Sequence, residues 1–288
     1  MSFLASSFDF GAVIIRLKAT PQTVAQLLER KQHSSIKAFM GSAVHSTFYE
    51  SMKDVLGEST TGYLHDLSND KPFSVSDIFH PYLDQAFRST VVVGTEIWVR
   101  WVGLSSELLG ALQTCCTRLP SFRLDHCEWQ VMGVDWENRV WGQRWHTAHV
   151  IQWRQSRIRF IRLRMITPML LKSGGVEPYL SPDARLIFGE GLLRRWMMYS
   201  HAPEPPQDFQ AFLRERVKIV RKHTYIKSEM LRTPQRGLMG QVLYRVEATT
   251  PHENECASYL NALAFYAQYA GVGKKTTNGL GMVYAHTR

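Results

Sequence analysis

The chain has 288 residues, 44% hydrophobic and 20% charged, which excludes a disordered chain and leaves room for two domains of ordinary size. Thirty-four Lys and Arg against 25 Asp and Glu give a net charge of +9, a balance that points to a polyanionic partner held in a salt-sensitive way. Four cysteines, none in a Cys-x-x-Cys pair, exclude a disulfide scaffold and a sulfur-based zinc site; they read as reduced core thiols of a cytoplasmic protein. The segment before Ala12 lacks the basic and apolar regions of a signal peptide. No apolar run approaches the roughly 18 residues of a membrane span.

In chain order, Ala12 to Lys18 reads as a strand, and Pro21 opens a helix that runs to about Arg30. A second helix is predicted from Ser35 to Lys53, with Ile36, Phe39, Met40, Val44, Phe48 and Met52 as its apolar face. Lys71 to Phe79 reads as a short strand. Val91 to Val102 reads as a β-branched and aromatic strand with Gly94 as a bulge. Ser105 to Leu112 follows as a helix and Cys127 to Asp135 as a strand. Strand, helix, strand, strand, helix, strand is the order of a ferredoxin-like βαββαβ unit.

Composition changes after Glu137. From Asn138 to Val176 there is no acidic residue, but eight basic ones: Arg139, Arg144, Arg154, Arg157, Arg159, Arg162, Arg164 and Lys172. Arg157 to Met165 alternates basic and apolar residues like a strand with one wet face, slipping at Phe160-Ile161 where a β-bulge is expected. Arg214 to Arg236 carries eight more basic residues against two glutamates. Gly237 to Thr249 is a strand. A final helix is strongly specified by Thr250 as N-cap, Pro251 in its first turn and Glu253 completing a capping box, with Gly271 at its end. The fold class is therefore α+β: two tandem ferredoxin-like, RRM-like domains, residues 1–137 and 138–288.

Tyr269 to Tyr284 holds four glycines, two lysines and two threonines. Such a loop lets backbone N–H groups and cations approach phosphates closely. It is not a nucleotide-binding P-loop, which needs a glycine where Gln268 stands. Nor does it fit the dinucleotide fingerprint, because Gly271 and Gly273 are followed by no glycine before Gly279. A phosphate backbone is the remaining fit.

These residues resemble a known family. A strand ending in Thr-Pro (Ile161 to Pro168) is similar to one in the Cas6 family of CRISPR-associated endoribonucleases. So are the Pro-containing segment leading to a Leu-rich helix with Arg-Trp (Tyr179 to Trp196) and Gly237-Leu-Met-Gly240. Above all, Gly271-Val-Gly-Lys-Lys-Thr-Thr-Asn-Gly-Leu-Gly281 resembles the family's glycine-rich signature. The resemblance covers most of residues 155–285 and is weaker over 1–135, where it rests on Lys71 to Phe79 and the Gly94 strand. It implies a metal-independent endoribonuclease that binds CRISPR repeat RNA and cuts the precursor into guide RNAs, leaving 2′,3′-cyclic phosphate and 5′-hydroxyl ends. No cofactor and no metal are expected. The alternative is a non-catalytic RNA-binding RAMP subunit of a CRISPR effector complex. Partners are then the repeat RNA and, beside it, other effector subunits or a second copy of the chain.

Metal-free RNA cleavage needs a proton-transfer group of near-neutral pKa and a cation for the developing charge. In the helix from Ser35 to Lys53, His45, Tyr49 and Lys53 fall at i, i+4 and i+8, one polar row beside the apolar face. The family resemblance supports a histidine in this helix, and His33 is the runner-up. His146 and His149 have metal-ligand spacing but no third ligand. RNA contact is assigned to Gly271, Gly273, Lys274, Lys275, Thr276, Thr277, Gly279 and Gly281 of the loop. It extends to Arg157, Arg159, Arg162 and Arg164, and to Lys218, Arg221, Lys222, Lys227, Arg232 and Arg236. On this reading the loop binds and the other domain does the chemistry.

Overall fold

A computed structural model describes residues 5–67, 70–81, 85–155, 158–172 and 181–288. Two antiparallel sheets carry the chain. The first contains β1 (Phe10–Lys18), β2 (Phe73–Val75), β3 (Glu96–Gly103), β4 (Ser121–Leu124) and β5 (Cys127–Asp135), in the order β2-β3-β1-β5-β4. A short β6 (Arg144–Trp145) pairs with the start of β1. Helices α1 (Pro21–Lys31), α2 (Gly41–Leu56), α3 (Glu58–Asp66) and α4 (Ser106–Cys116) share a core with one face of this sheet, built on Val13, Ile15, Leu17, Phe48, Phe73 and Trp101.

After α5 (Thr147–Trp153), the second sheet takes β7 (Phe160–Met169), β8 (Val217–Met230), β9 (Pro234–Val246) and β10 (Val283–Thr287) in the order β10-β7-β9-β8. Its helices are α6 (Ala184–Phe188), α7 (Gly191–Tyr199), α8 (Phe209–Arg216) and α9 (Pro251–Ala270). In the second sheet the first and third strands are central and the second and fourth flank them, the ferredoxin-like arrangement; in the first sheet β1 and β3 are likewise central between β2 and β5, with β4 added outside β5. The tandem α+β architecture expected from the element order is the one observed.

Helix α9 joins the halves. Its capping box forms as expected, with Thr250 and Glu253 bonding reciprocally, and hydrogen bonds from Thr249 and Thr250 lower the Glu253 pKa to about 2. From Tyr259 onward every residue of α9 is buried, as in a helix packed all round. Phe10 of β1 meets Tyr266 and Tyr269 edge-on, so the other face of the first sheet closes on α9 and one core spans both halves.

Several local expectations change. Helix α2 begins at Gly41 rather than Ser35. Ser34 and Ile36 instead bond the backbone at Val91 and Ser89, and buried Asp77 caps the helix by accepting from the Met40 N–H at 2.8 Å. Strand β3 starts at Glu96, because Val92 to Thr95 form a hydrogen-bonded turn with Gly94 at φ 88°, not a bulge. Only Phe73–Val75 of the Lys71 to Phe79 segment is strand. The slip at Phe160 is real: the N–H groups of Arg159 and Phe160 both donate to the Arg288 carbonyl, two residues opposing one as in a β-bulge. All four cysteines are free and buried. No helix among the described residues is long and apolar enough to cross a membrane.

Candidate active site

The two halves enclose a cleft of about 610 Å³ at their seam. Its walls come from α2 (His45), the approach to β2 (Asp70, Lys71), the stretch just after β7 (Leu170 to Lys172), the start of α7 (Glu190 to Leu192, Arg194 and Arg195) and the glycine-rich loop (Gly273 to Asn278). The loop is wedged against both halves. Lys274 donates its N–H to Leu170 at 2.9 Å, and Gly273, at φ 85°, sits so close that a Cβ would lie 2.3 Å from the Leu170 carbonyl. On the other side a Cβ at Gly41 would meet the Asn278 carbonyl at 2.1 Å, so the first turn of α2 can abut the loop only as glycine.

That contact brings His45 to the loop. Its Nδ1 lies 2.6 Å from the Thr277 carbonyl, an acceptor only, so Nδ1 carries the proton and Nε2 holds the lone pair. Burial lowers the His45 pKa to about 4, with nearby Lys71 and His65 pushing the same way and the Thr277 bond opposing them. The imidazole is therefore neutral near pH 7. Tyr49 packs edge-on against it at 4.8 Å and donates its hydroxyl to the Leu64 carbonyl at 3.1 Å. Lys71 bonds that same hydroxyl at 3.2 Å and the His65 carbonyl at 2.5 Å, and burial lowers the ammonium pKa.

The predicted row is only partly a row. Tyr49 is 8% exposed and belongs to the wall of the first core, because one of its ring faces packs beside Phe48 and Phe73. Lys53 points to solvent, 3.5 Å from Glu58, and does not line the cleft. His33 is exposed, its Nδ1 accepting from the Ser35 N–H at 3.2 Å, and it is likewise off the cleft wall. The cation near His45 on the cleft wall is Lys71. Its signal in the sequence was a lysine at the mouth of a Pro-Phe strand start, which periodicity alone does not mark.

Within the loop the roles divide. Gly273, Lys274, Lys275, Thr276 and Thr277 line the cleft, Thr276 as a buried residue, whereas Gly271, Gly279 and Gly281 are buried beneath it. Buried Arg195 of α7 donates to the Thr276 hydroxyl at 3.1 Å and to the carbonyls of Ala270 and Gly271, both at 2.8 Å. Asp70 pairs with Arg194 and accepts from the Tyr199 hydroxyl, tying the first half to α7 beside the cleft.

Away from the cleft, the open face of the second sheet is basic. Arg162 and Arg164 of β7 lie beside Leu243 and Gln241 of β9, which in turn lie beside Arg221 and His223 of β8. Arg162, Arg221 and His223 share a shallow depression of about 70 Å³. Arg159, Lys218, Lys222, Arg232 and Arg236 are also exposed, Lys227 pairs with Glu229 at 2.6 Å, and Arg157 lies outside the described residues. The β8–β9 hairpin runs back to the seam, where Leu231 at its turn packs on Phe39, Leu170 and Leu280. His146 and His149 touch ring to ring at 4.9 Å. Among the described residues no group of three His, Cys, Asp or Glu is placed to hold a metal ion.

The family model described as CRISPR-associated endoribonuclease Cas6 matches residues 163–283, from the middle of β7 to the first residue of β10. Over that stretch the chain is similar to Cas6 sequences. Solved structures extend the likeness of fold to both halves. A Cas6 solved as a product complex is 22% identical over 96% of this chain and 99% of that chain, with a TM-score of 0.73. Thermus thermophilus Cas6 is 17% identical over 98% and 100%, with a TM-score of 0.67. A RAMP protein described as binding different RNA substrates is 13% identical over 96% and 99%, with a TM-score of 0.56. No curated protein sequence matches. The matched stretch contains most of β7, the hairpin, α9 and the loop; His45 and Lys71 lie outside it.

Proposed function

We propose that the chain is an endoribonuclease that binds CRISPR repeat RNA and cuts the precursor transcript at each repeat without a metal ion. The observation that carries this reading is the His45–Thr277 contact, which leaves a neutral imidazole with a free Nε2 lone pair in a cation-lined cleft. Nε2 takes the proton of the 2′-hydroxyl at the scissile nucleotide. The 2′-oxygen attacks phosphorus, and the bond to the 5′-oxygen breaks in line. Lys71 faces the phosphorane charge, and its ammonium, made more acidic by burial, gives the leaving 5′-oxygen its proton. The products are a 2′,3′-cyclic phosphate and a 5′-hydroxyl. His45 and Lys71 then recover their starting protonation through solvent. Lys274, Lys275 and Thr277 hold the flanking phosphates, and the basic face of the second sheet carries the rest of the RNA.

A second reading follows from the same histidine. A pKa near 4 makes His45 a weak base, which suits a RAMP subunit that binds repeat RNA and never cuts it. Incubating repeat RNA with the protein in EDTA separates the two. Cleavage with cyclic-phosphate ends supports the enzyme, and bound, intact RNA supports the subunit.

A further inference from the structure

Four successive carbonyls at the end of α9 are each met by a side chain from outside the helix. Arg100 of β3 donates to Gln268 at 2.7 Å and Ser74 of β2 to Tyr269 at 2.7 Å. Arg195 of α7 donates to Ala270 and Gly271, both at 2.8 Å. Arg100 and Arg195 are 2% and 4% exposed, and neither forms an ion pair with a described carboxylate. Two buried cations are thus set against the negative end of a twenty-residue helix, where the carbonyls lack intrahelical partners and the macrodipole favours positive charge. Because its guanidinium is committed to the loop, Arg195 is not offered to an RNA phosphate although it lines the cleft floor.

Arg195 also reaches beyond the helix end. Its Nη1 donates to the Thr276 hydroxyl at 3.1 Å, and the next residue presents the carbonyl that His45 bonds at 2.6 Å. Between them the backbone has little preference of its own. Gly273, Lys275 and Gly279 all take positive φ, and a chain so rich in glycine keeps one shape only when outside groups hold it. A guanidinium bonding two carbonyls and a hydroxyl in fixed fork geometry does that, and an ammonium cannot span the same set.

We propose that Arg195 is a positioning residue that fixes the glycine-rich loop so that the Thr277 carbonyl holds His45 in its Nδ1-protonated tautomer. Resting on the reading of His45 as the base, this makes a second-half arginine control the orientation and reactivity of a first-half histidine without touching it. A misplaced loop leaves the ring free to turn, and loss of a near-attack geometry costs about a hundredfold for small displacements.

The test measures His45 ring ¹⁵N shifts, assigned by their loss in His45→Gln, beside single-turnover cleavage and affinity for repeat RNA. In wild type the proton sits on Nδ1. In Arg195→Gln and Arg195→Lys the Nδ1-protonated fraction falls, and the single-turnover rate falls about tenfold to a hundredfold. Because the displaced loop carries Lys274 and Lys275 with it, affinity for repeat RNA is measured separately and the rate is read at saturating RNA. Should Arg195→Gln not fold, Arg195→Lys and Thr276→Val, which deletes only one acceptor, give the same readouts. Folded variants that keep both the Nδ1 proton and the wild-type rate overturn the proposal. If wild type does not cut RNA, the enzymatic reading falls, yet the tautomer measurement still decides what Arg195 does.

Discussion

The molecule carries two cationic regions built on opposite plans. On the open face of the second sheet, Arg162, Arg221 and their neighbours are exposed along strands, set by register and free to adapt to a phosphate chain. At the seam, a few groups are held by side chains and carbonyls from several elements: His45 by Thr277, Lys71 by Tyr49 and the His65 carbonyl, the loop by Arg195. Charge density suits binding, whose energy comes largely from counterion release. Fixed geometry suits bond breaking, which depends on orientation and on the protonation state of single groups. On the proposed function, the difference would place most of the affinity in one region and the rate in the other.

The largest effect that could break this division is at His45. His45→Ala is expected to lower single-turnover cleavage by about 10²–10⁴-fold while gel-shift affinity for repeat RNA is unchanged; lost affinity with retained rate would reverse the assignment. Lys71→Ala follows, with a loss of about 10²–10³-fold in rate at saturating RNA, whereas Lys53→Ala, outside the cleft, leaves the rate alone. Replacing Arg162 and Arg221 together by alanine acts the other way. The slope of log affinity against log salt becomes shallower by about 1.4, the value for two contacts to single-stranded phosphates, with the saturated rate intact.

Smaller effects sharpen the role of the seam. Gly41→Ala pushes a methyl group against the Asn278 carbonyl and is expected to cost about 1–3 kcal/mol in denaturant unfolding, together with some rate. The smallest concerns pH. His45 has its folded pKa depressed to about 4 from 6.5, so the unfolded state binds its proton first. The stabilisation from this group is present above pH 6.5 and is lost as pH falls through about 4. His45→Asn should accordingly flatten part of the fall in melting temperature between pH 6.5 and 4.

What the sequence made legible was whatever a local signal marks. The capping box and apolar stripe placed α9, and four glycines around two lysines placed the loop. Helical spacing put His45 on a helix, and it lies on α2. The rest depended on long-range contacts. Strand β8 is exposed and charged along most of its length, so no alternation announced it, and only pairing with β9 makes it a strand. The start of α2 was set by Asp77, thirty-seven residues away. Among so many arginines the sequence pointed to RNA, yet Arg100 and Arg195 are buried at the end of α9. A sign existed for Arg195: it lies three residues after Leu192 and beside Trp196, on the buried side of its helix. Nothing local in the sequence announced that the Thr277 carbonyl of the loop meets the His45 ring of the other half.

The central claim is that a neutral His45, held by the loop, cuts repeat RNA. The most direct measurement is a single-turnover reaction of end-labelled repeat RNA with wild type and His45→Ala in EDTA, with the product ends mapped. One cut per repeat by wild type, with a cyclic phosphate on the upstream fragment and bound but intact RNA for His45→Ala, is the predicted result. Intact RNA with wild type, or undiminished cutting by His45→Ala, would contradict it.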